Sequence, residues 1–222
     1  MKYIIVDFEM NPIAREHKVE RKICRSEIIE IGAVILDESY AVIGEFKTLV
    51  RPQYNDTIYK KYEELTGISM QMVYGSPKFN QAYDMFAKWC DSYEDDYEIY
   101  AWSETDYKQV SAEMELKQYA GREKFLAFDR WFDFQKEFMQ VMELEHVLSL
   151  EKALNYAGVE YKGHMHDALW DAKNTAELFE IIRVEDKYNM VLKGIKETLK
   201  AKPMSSTLGD MFDFSKLMSQ ME

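Results

Sequence analysis

The sequence predicts an α/β fold: a mixed five-stranded sheet flanked by helices. Three observations carry this. Three β-rich apolar runs lead the chain, at 3–8, 28–37 and 41–50. The second and third are joined by only Glu38-Ser39-Tyr40, a hairpin-length connection. Beyond residue 57, helical and strand patterns alternate, which adds parallel strands to the leading meander and places helices on the sheet faces.

Each element has its own signal. YIIVDF (3–8) is a short apolar run, the pattern of a buried central strand. Pro52 and the polar stretch after it end the meander. TIYKKYEELTG reads as a short helix stopped by Gly67. After Pro77, the residues Phe79, Tyr83, Phe86 and Cys90 recur at helical spacing. YEIYAW (97–102) is a strand, followed by a helix from Thr105 to near Gly121. RWFDF (130–134) supplies the fifth strand. SLEKALNYAG (149–158) is a helix with Ser149 as N-cap and Gly158 as stop. DALWDAKNTAELFEIIRVEDKY (167–188) reads as one long helix.

A chain of 222 residues suits one generous domain with a tail, and its 47% hydrophobic content supplies a core. No apolar run reaches the ~18 residues of a membrane span. The N-terminal run is cut by Asp7 before it could form a signal peptide. Cys24 and Cys90 have neither disulfide-framework nor metal-ligand spacing and read as free thiols. The expectation is a soluble cytoplasmic protein. A net charge of −12 argues against nucleic-acid binding on average, but residues 11–25 carry five cations against Glu16 and Glu20, a local +3. That segment is either a solvated loop or a phosphate-contacting one.

Asp7 and Glu9 are two apart on a strand, so both project from one sheet face roughly 7 Å apart, a spacing that serves a metal pair. Asp106 follows the strand YEIYAW at a strand-to-helix junction, where ligands gather in such sheets; alone it also reads as a carboxylate complementing a helix dipole. His166 and Asp171 are five apart, about 140° from a common face on a continuous helix. His166 therefore belongs to the loop entering the helix, and Asp171 to its first turn. Hard carboxylate oxygens suit Mg²⁺ or Mn²⁺, and a histidine titrating near neutrality takes a proton from water. No zinc-type cluster, glycine-rich phosphate loop or GxSxG elbow competes.

These residues resemble the DEDDh 3′–5′ exonucleases of the ribonuclease H-like superfamily. Asp7-Phe8-Glu9 is similar to the first motif, Asp106 to the second, and the segment from His166 to Asp171 to the third. Glu27 to Val34, Leu65 to Ile68 and Asp133-Phe134-Gln135 add to the likeness. The flavour is that of the ERI/KapD-like branch, whose members trim 3′ ends of RNA. The resemblance covers about residues 1–185. It implies a ribonuclease H-like fold and hydrolysis at the 3′ end of single-stranded nucleic acid, RNA over DNA; the alternatives are a proofreading-type DNA exonuclease and a non-enzymatic nucleic-acid-binding module on the same fold. It implies two divalent metal ions, Mg²⁺ or Mn²⁺, on Asp7, Glu9, Asp106 and Asp171, with His166 as general base. Met10 stands where the family often has Thr or Ser, so a hydroxyl suited to holding the terminal nucleotide is missing. Asp133 reads as structural, and Phe8 as a buried strand residue.

Residues 1–188 are thus expected to form the exonuclease domain and 189–222 a helical extension, with a linker near 200–206. Met211, Phe214, Met218 and Met221 recur at helical spacing there. That helix packs on its own domain or docks on a protein partner or second copy.

Overall fold

The structure is a computed structural model that describes residues 1–93, 96–120 and 130–201, with the backbone alone for 196–201. Its strands are β1 (Lys2–Pro12), β2 (Ser26–Leu36), β3 (Val42–Leu49), β4 (Tyr97–Ala101) and β5 (Trp131–Asp133). They form one sheet in the order β3-β2-β1-β4-β5. The β1–β2 and β2–β3 pairs are antiparallel; β1–β4 and β4–β5 are parallel. The expected mixed five-stranded sheet is present.

The helices are α1 (Glu20–Ile23), α2 (Lys60–Thr66), α3 (Met70–Val73), α4 (Phe79–Asp91), α5 (Glu104–Leu116), α6 (Phe134–Val141), α7 (Leu150–Tyr156), α8 (Ala168–Ile181) and α9 (Glu185–Ala201). Strand alternation sorts the core into two layers. Ile4, Val6 and Phe8 of β1 face Phe79, Tyr83 and Phe86 of α4 and Val110 of α5. Ile5, with Val34 and Tyr100, faces Phe134 and Phe138 of α6, Leu154 of α7 and Phe179 of α8. Each such side chain contributes about 1.5–3 kcal/mol on burial.

Several expected boundaries move. β1 runs to Pro12 rather than Phe8, because β2 keeps pairing with it past a bulge between Glu9 and Met10. The helix expected to end near Gly121 ends at Leu116, where Gln118 turns left-handed at φ 48°; Gly121 itself lies outside the described residues. Phe134 belongs to α6, an unexpected helix started by Asp133, whose side chain accepts from the Lys136 amide. The helix expected over 167–188 is two helices. Between them Arg183 lies 3.4 Å over the Phe179 ring and donates to both carboxylate oxygens of Glu137, at 2.7 and 2.8 Å. Glu185 and Asp186 then complement the N-terminal dipole of α9. α9 crosses the expected boundary at 188–189, and the Met-rich segment beyond 201 lies outside the described residues.

Two features aim the sheet at one place. β4 pairs with β1 only as far as Val6↔Ala101, so among the described residues Asp7 to Pro12 have β2 on one side and no strand on the other. On the α8 face, Gly32 lets the helix rest on the sheet backbone. A Cβ there would stand 2.1 Å from the Leu169 amide nitrogen and 2.2 Å from the Ala168 carbonyl carbon.

Gly32→Ala therefore forces α8 off the sheet. We expect a loss of about 1–3 kcal/mol in urea unfolding, the usual cost of overpacking, whereas Gly75→Ala, whose Cβ meets nothing within 4 Å, stays within about 0.5 kcal/mol.

Candidate active site at the end of the central strand

Asp7 and Glu9 share the sheet face of Ile5, and their cross-strand partners are Gly32 and Glu30. Lys47 of β3 pairs with Gly32 in turn. One patch of the sheet thus holds Asp7, Glu9, Glu30 and Lys47 around a glycine, and the first turn of α8 lies on that glycine.

The start of α8 is clamped in place. Asp167 is its N-cap, accepting from the Leu169 and Trp170 amides. The Ala168 amide donates to Glu30 Oε2 at 2.9 Å, and Lys47 Nζ bridges Glu30 Oε1, at 3.2 Å, to Asp167. Asn174 holds the incoming loop through the Lys162 amide and carbonyl, at 2.9 and 2.8 Å. In that loop Gly163, at φ 81°, lies flush against the Trp170 ring. The result puts Asp171 in the first turn of α8, where its charge acts on Asp7, and His166 on the exposed turn before the helix. His166 has φ 60°, and its amide donates to Asp171 Oδ2 at 3.1 Å. The other Asp171 oxygen accepts from the Tyr161 hydroxyl. Ligand atoms of Glu9, His166 and Asp171 lie within 4.8 Å of one another.

Asp106 arrives from the opposite layer, in the first turn of α5, and is buried. Its own amide and that of Phe8, in the part of β1 that β4 leaves uncovered, favour the charged form of its carboxylate. Phe8 is buried against Trp131, as expected of a strand residue. Met10 packs against the α4–α5 layer, away from the face of Asp7 and Glu9. Asp133 caps α6 and pairs with Lys136.

Burial and neighbouring carboxylates raise the proton affinity of this cluster. Burial, then the charges of Asp106, Asp171 and Glu9, hold the Asp7 carboxyl well above its usual range. Burial, then Asp171 and Glu30, push Glu9 up to about 8. Burial pushes Asp106 up to about 7 against the two amides that favour its charged form. Burial also raises Asp171, opposed by the Tyr161 hydrogen bond and by His166. Lys47 at the rim is committed to Glu30 and Asp167. Hard oxygen donors, crowded and short of compensating positive charge, fit a divalent cation such as Mg²⁺ or Mn²⁺.

Sequence reasoning did not single out Glu30, Lys47, Tyr161 or Asn174. The strand alternation that placed Glu9 beside Asp7 was the signal for Glu30. Tyr161 is brought to Asp171 by a loop and carried no local signal.

A family model described as an exonuclease matches residues 4–179. ERI1 exoribonuclease 2 of Danio rerio is 28% identical over 195 residues, covering 79% of this chain and 34% of that protein. The Homo sapiens ERI1 exoribonuclease 2 is 27% identical over 201 residues, covering 79% of this chain and 27% of that protein. The chain thus spans about a third or less of the length of these relatives. The nuclease domain of 3′hExo, a DEDDh family member solved bound to rAMP, superposes with a TM-score of 0.65 at 22% identity, over 81% of this chain and 90% of that one. The family match spans most of the chain, and the sheet agrees with the fold of that neighbour: the chain belongs to the exonuclease family.

Proposed function

We propose that this protein is a metal-dependent 3′–5′ exonuclease that hydrolyses single-stranded RNA in preference to DNA. The observation that carries the reading is the charge of Glu9, Asp106 and Asp171 acting on the buried Asp7, beside a group of Glu9, His166 and Asp171 whose ligand atoms lie within 4.8 Å of one another. The exoribonuclease relatives favour RNA as substrate. Buried free thiols at Cys24 and Cys90 accord with a reducing compartment, and we assign the protein to the cytoplasm. Among the described residues no helix is long and apolar enough to cross a membrane.

In this mechanism Asp7, Glu9, Asp106 and Asp171 would hold two divalent ions, Mg²⁺ or Mn²⁺. Bound there, the ions would lower the pKa of the attacking water and stabilise the leaving oxygen. The His166 imidazole, exposed on its turn, takes the proton of that water as general base. Tyr161 and the His166 amide orient the Asp171 carboxylate. The Asp167–Glu30–Lys47 clamp keeps the turn in register with the strand.

With 5′-labelled single-stranded RNA and Mg²⁺, the expected product is a ladder shortening from the 3′ end, abolished by EDTA and weaker on DNA of the same sequence. His166→Ala should lower kcat by about 10²- to 10⁴-fold, the usual worth of a general base, while thermal unfolding stays unchanged. Full activity in that variant would exclude the assigned base.

The raised carboxyl pKa values also fix a stability trend. Glu9 and Asp106 bind protons more tightly folded than unfolded, with folded values of about 8 and about 7 against ordinary values of 4.5 and 3.8. Their stabilising contribution is therefore complete below about pH 4 and lost as pH rises to about 8. In EDTA the thermal midpoint should fall from pH 5 to pH 8 more steeply for the wild type than for Glu9→Gln, and Mg²⁺ should restore the wild type at pH 8. A wild-type midpoint that rises across this range in EDTA would rule out the crowded-carboxylate description.

A further inference from the structure

The segment between β1 and β2 leaves the sheet at the same end as the site, and it is built as a fixed frame. Ile13 and Cys24 are buried, and the Ile13 amide donates to the Arg25 carbonyl, so the two ends close on each other. Asn55 accepts from the Ala14 amide at 2.7 Å and donates to the Pro12 carbonyl at 2.7 Å. Arg21 donates to the Ile13 carbonyl across the base of the loop. Gln109 of α5 donates to the Ser26 carbonyl and to Cys24. That side chain also meets Glu113, whose carboxylate, with Glu27, buries Lys117 beneath the loop.

On this frame Arg15, Lys18, Lys22 and Arg25 are exposed and form no ion pair with any described residue. Elsewhere many cations are paired: Lys47, Lys108, Lys136, Lys162, Lys173 and Lys187 each meet a carboxylate. In a chain of net charge −12, an anchored loop that keeps four free cations is an unusual concentration of positive potential. Arg15 is six residues past Glu9, so it stands within about 20 Å of it at full extension.

We propose that Arg15, Lys18, Lys22 and Arg25 form a backbone-binding surface for the phosphates of the substrate strand upstream of its 3′ end. The inference rests on the exonuclease reading and extends it to how a long strand is held. Preorganisation of the loop lowers the ordering cost of binding. Contacts to phosphates carry no sequence information, so the surface serves any single strand. It gives long substrates an affinity that a dinucleotide lacks.

The test compares the wild type with the variant R15Q/K18Q/K22Q/R25Q in the full chain. Anisotropy of a fluorescein-labelled 20-nucleotide RNA in EDTA reads binding without turnover. The expected result is at least about tenfold weaker binding, with the slope of log affinity against log salt reduced by roughly 3, at about 0.7 per released counterion. In Mg²⁺, KM for the 20-mer rises while kcat, and kcat/KM for a dinucleotide, stay at wild-type values. Equal affinity and salt slope in the two proteins would overturn the proposal, as would loss of binding to phosphatidylserine vesicles with RNA affinity unmoved. Absence of turnover in both proteins would instead speak against the exonuclease reading and leave the binding comparison to decide the surface.

Discussion

Like charges held together against their repulsion are the constraint on which the rest of this structure depends. Asp7, Glu9, Asp106 and Asp171 come from three elements on both sides of the sheet, and the charges of the other three all raise the proton affinity of Asp7. Such a gathering persists only where the scaffold fixes it more strongly than the charges push it apart. Here a missing side chain does much of that. Gly32 lets the first turn of α8 lie on the sheet, and Asp167, Glu30 and Lys47 hold it there. The same contacts fix Asp171 in the first turn of α8 and leave His166 on an exposed turn, so one packing decision sets two positions of the site.

The α5 side has its own clamp. Glu113 accepts from the Ile28 amide at 2.8 Å and pairs with Lys117, while Glu27 accepts from the Gln53 and Tyr54 amides and meets Lys117 at 2.9 Å. Buried ions of this kind add little net stability, but they tolerate only one geometry. They tie α5 to β2 and to the segment after β3, and so fix Asp106 relative to β1. The same network underlies the loop that carries the free cations. Catalytic and strand-binding features thus share one rigid base.

Much of this was legible in the sequence because the period-2 and period-3.6 patterns are local. The three leading runs, the hairpin at 38–40 and the Ser149 and Gly158 limits of α7 follow from side-chain alternation and capping. The five-residue gap between His166 and Asp171 forced the histidine onto the loop, where the structure places it. The misses are of two physical kinds. α6 was hidden because Phe134 suited either a strand end or the first residue of a helix, and the break after Ile181 carries no Gly or Pro. Tyr161 and the Glu27–Lys117–Glu113 network depend on contacts across the fold, which no spacing along the chain encodes.

The central claim is that the end of β1 is a two-metal site. Its most direct measurement is an anomalous difference map from crystals of the protein grown with Mn²⁺. The account predicts two peaks about 3.5–4 Å apart, bounded by the carboxylates of Asp7, Glu9, Asp106 and Asp171, with the His166 ring at their solvent side. Manganese bound elsewhere on the protein, with these four carboxylates free of it at saturating concentration, would contradict it.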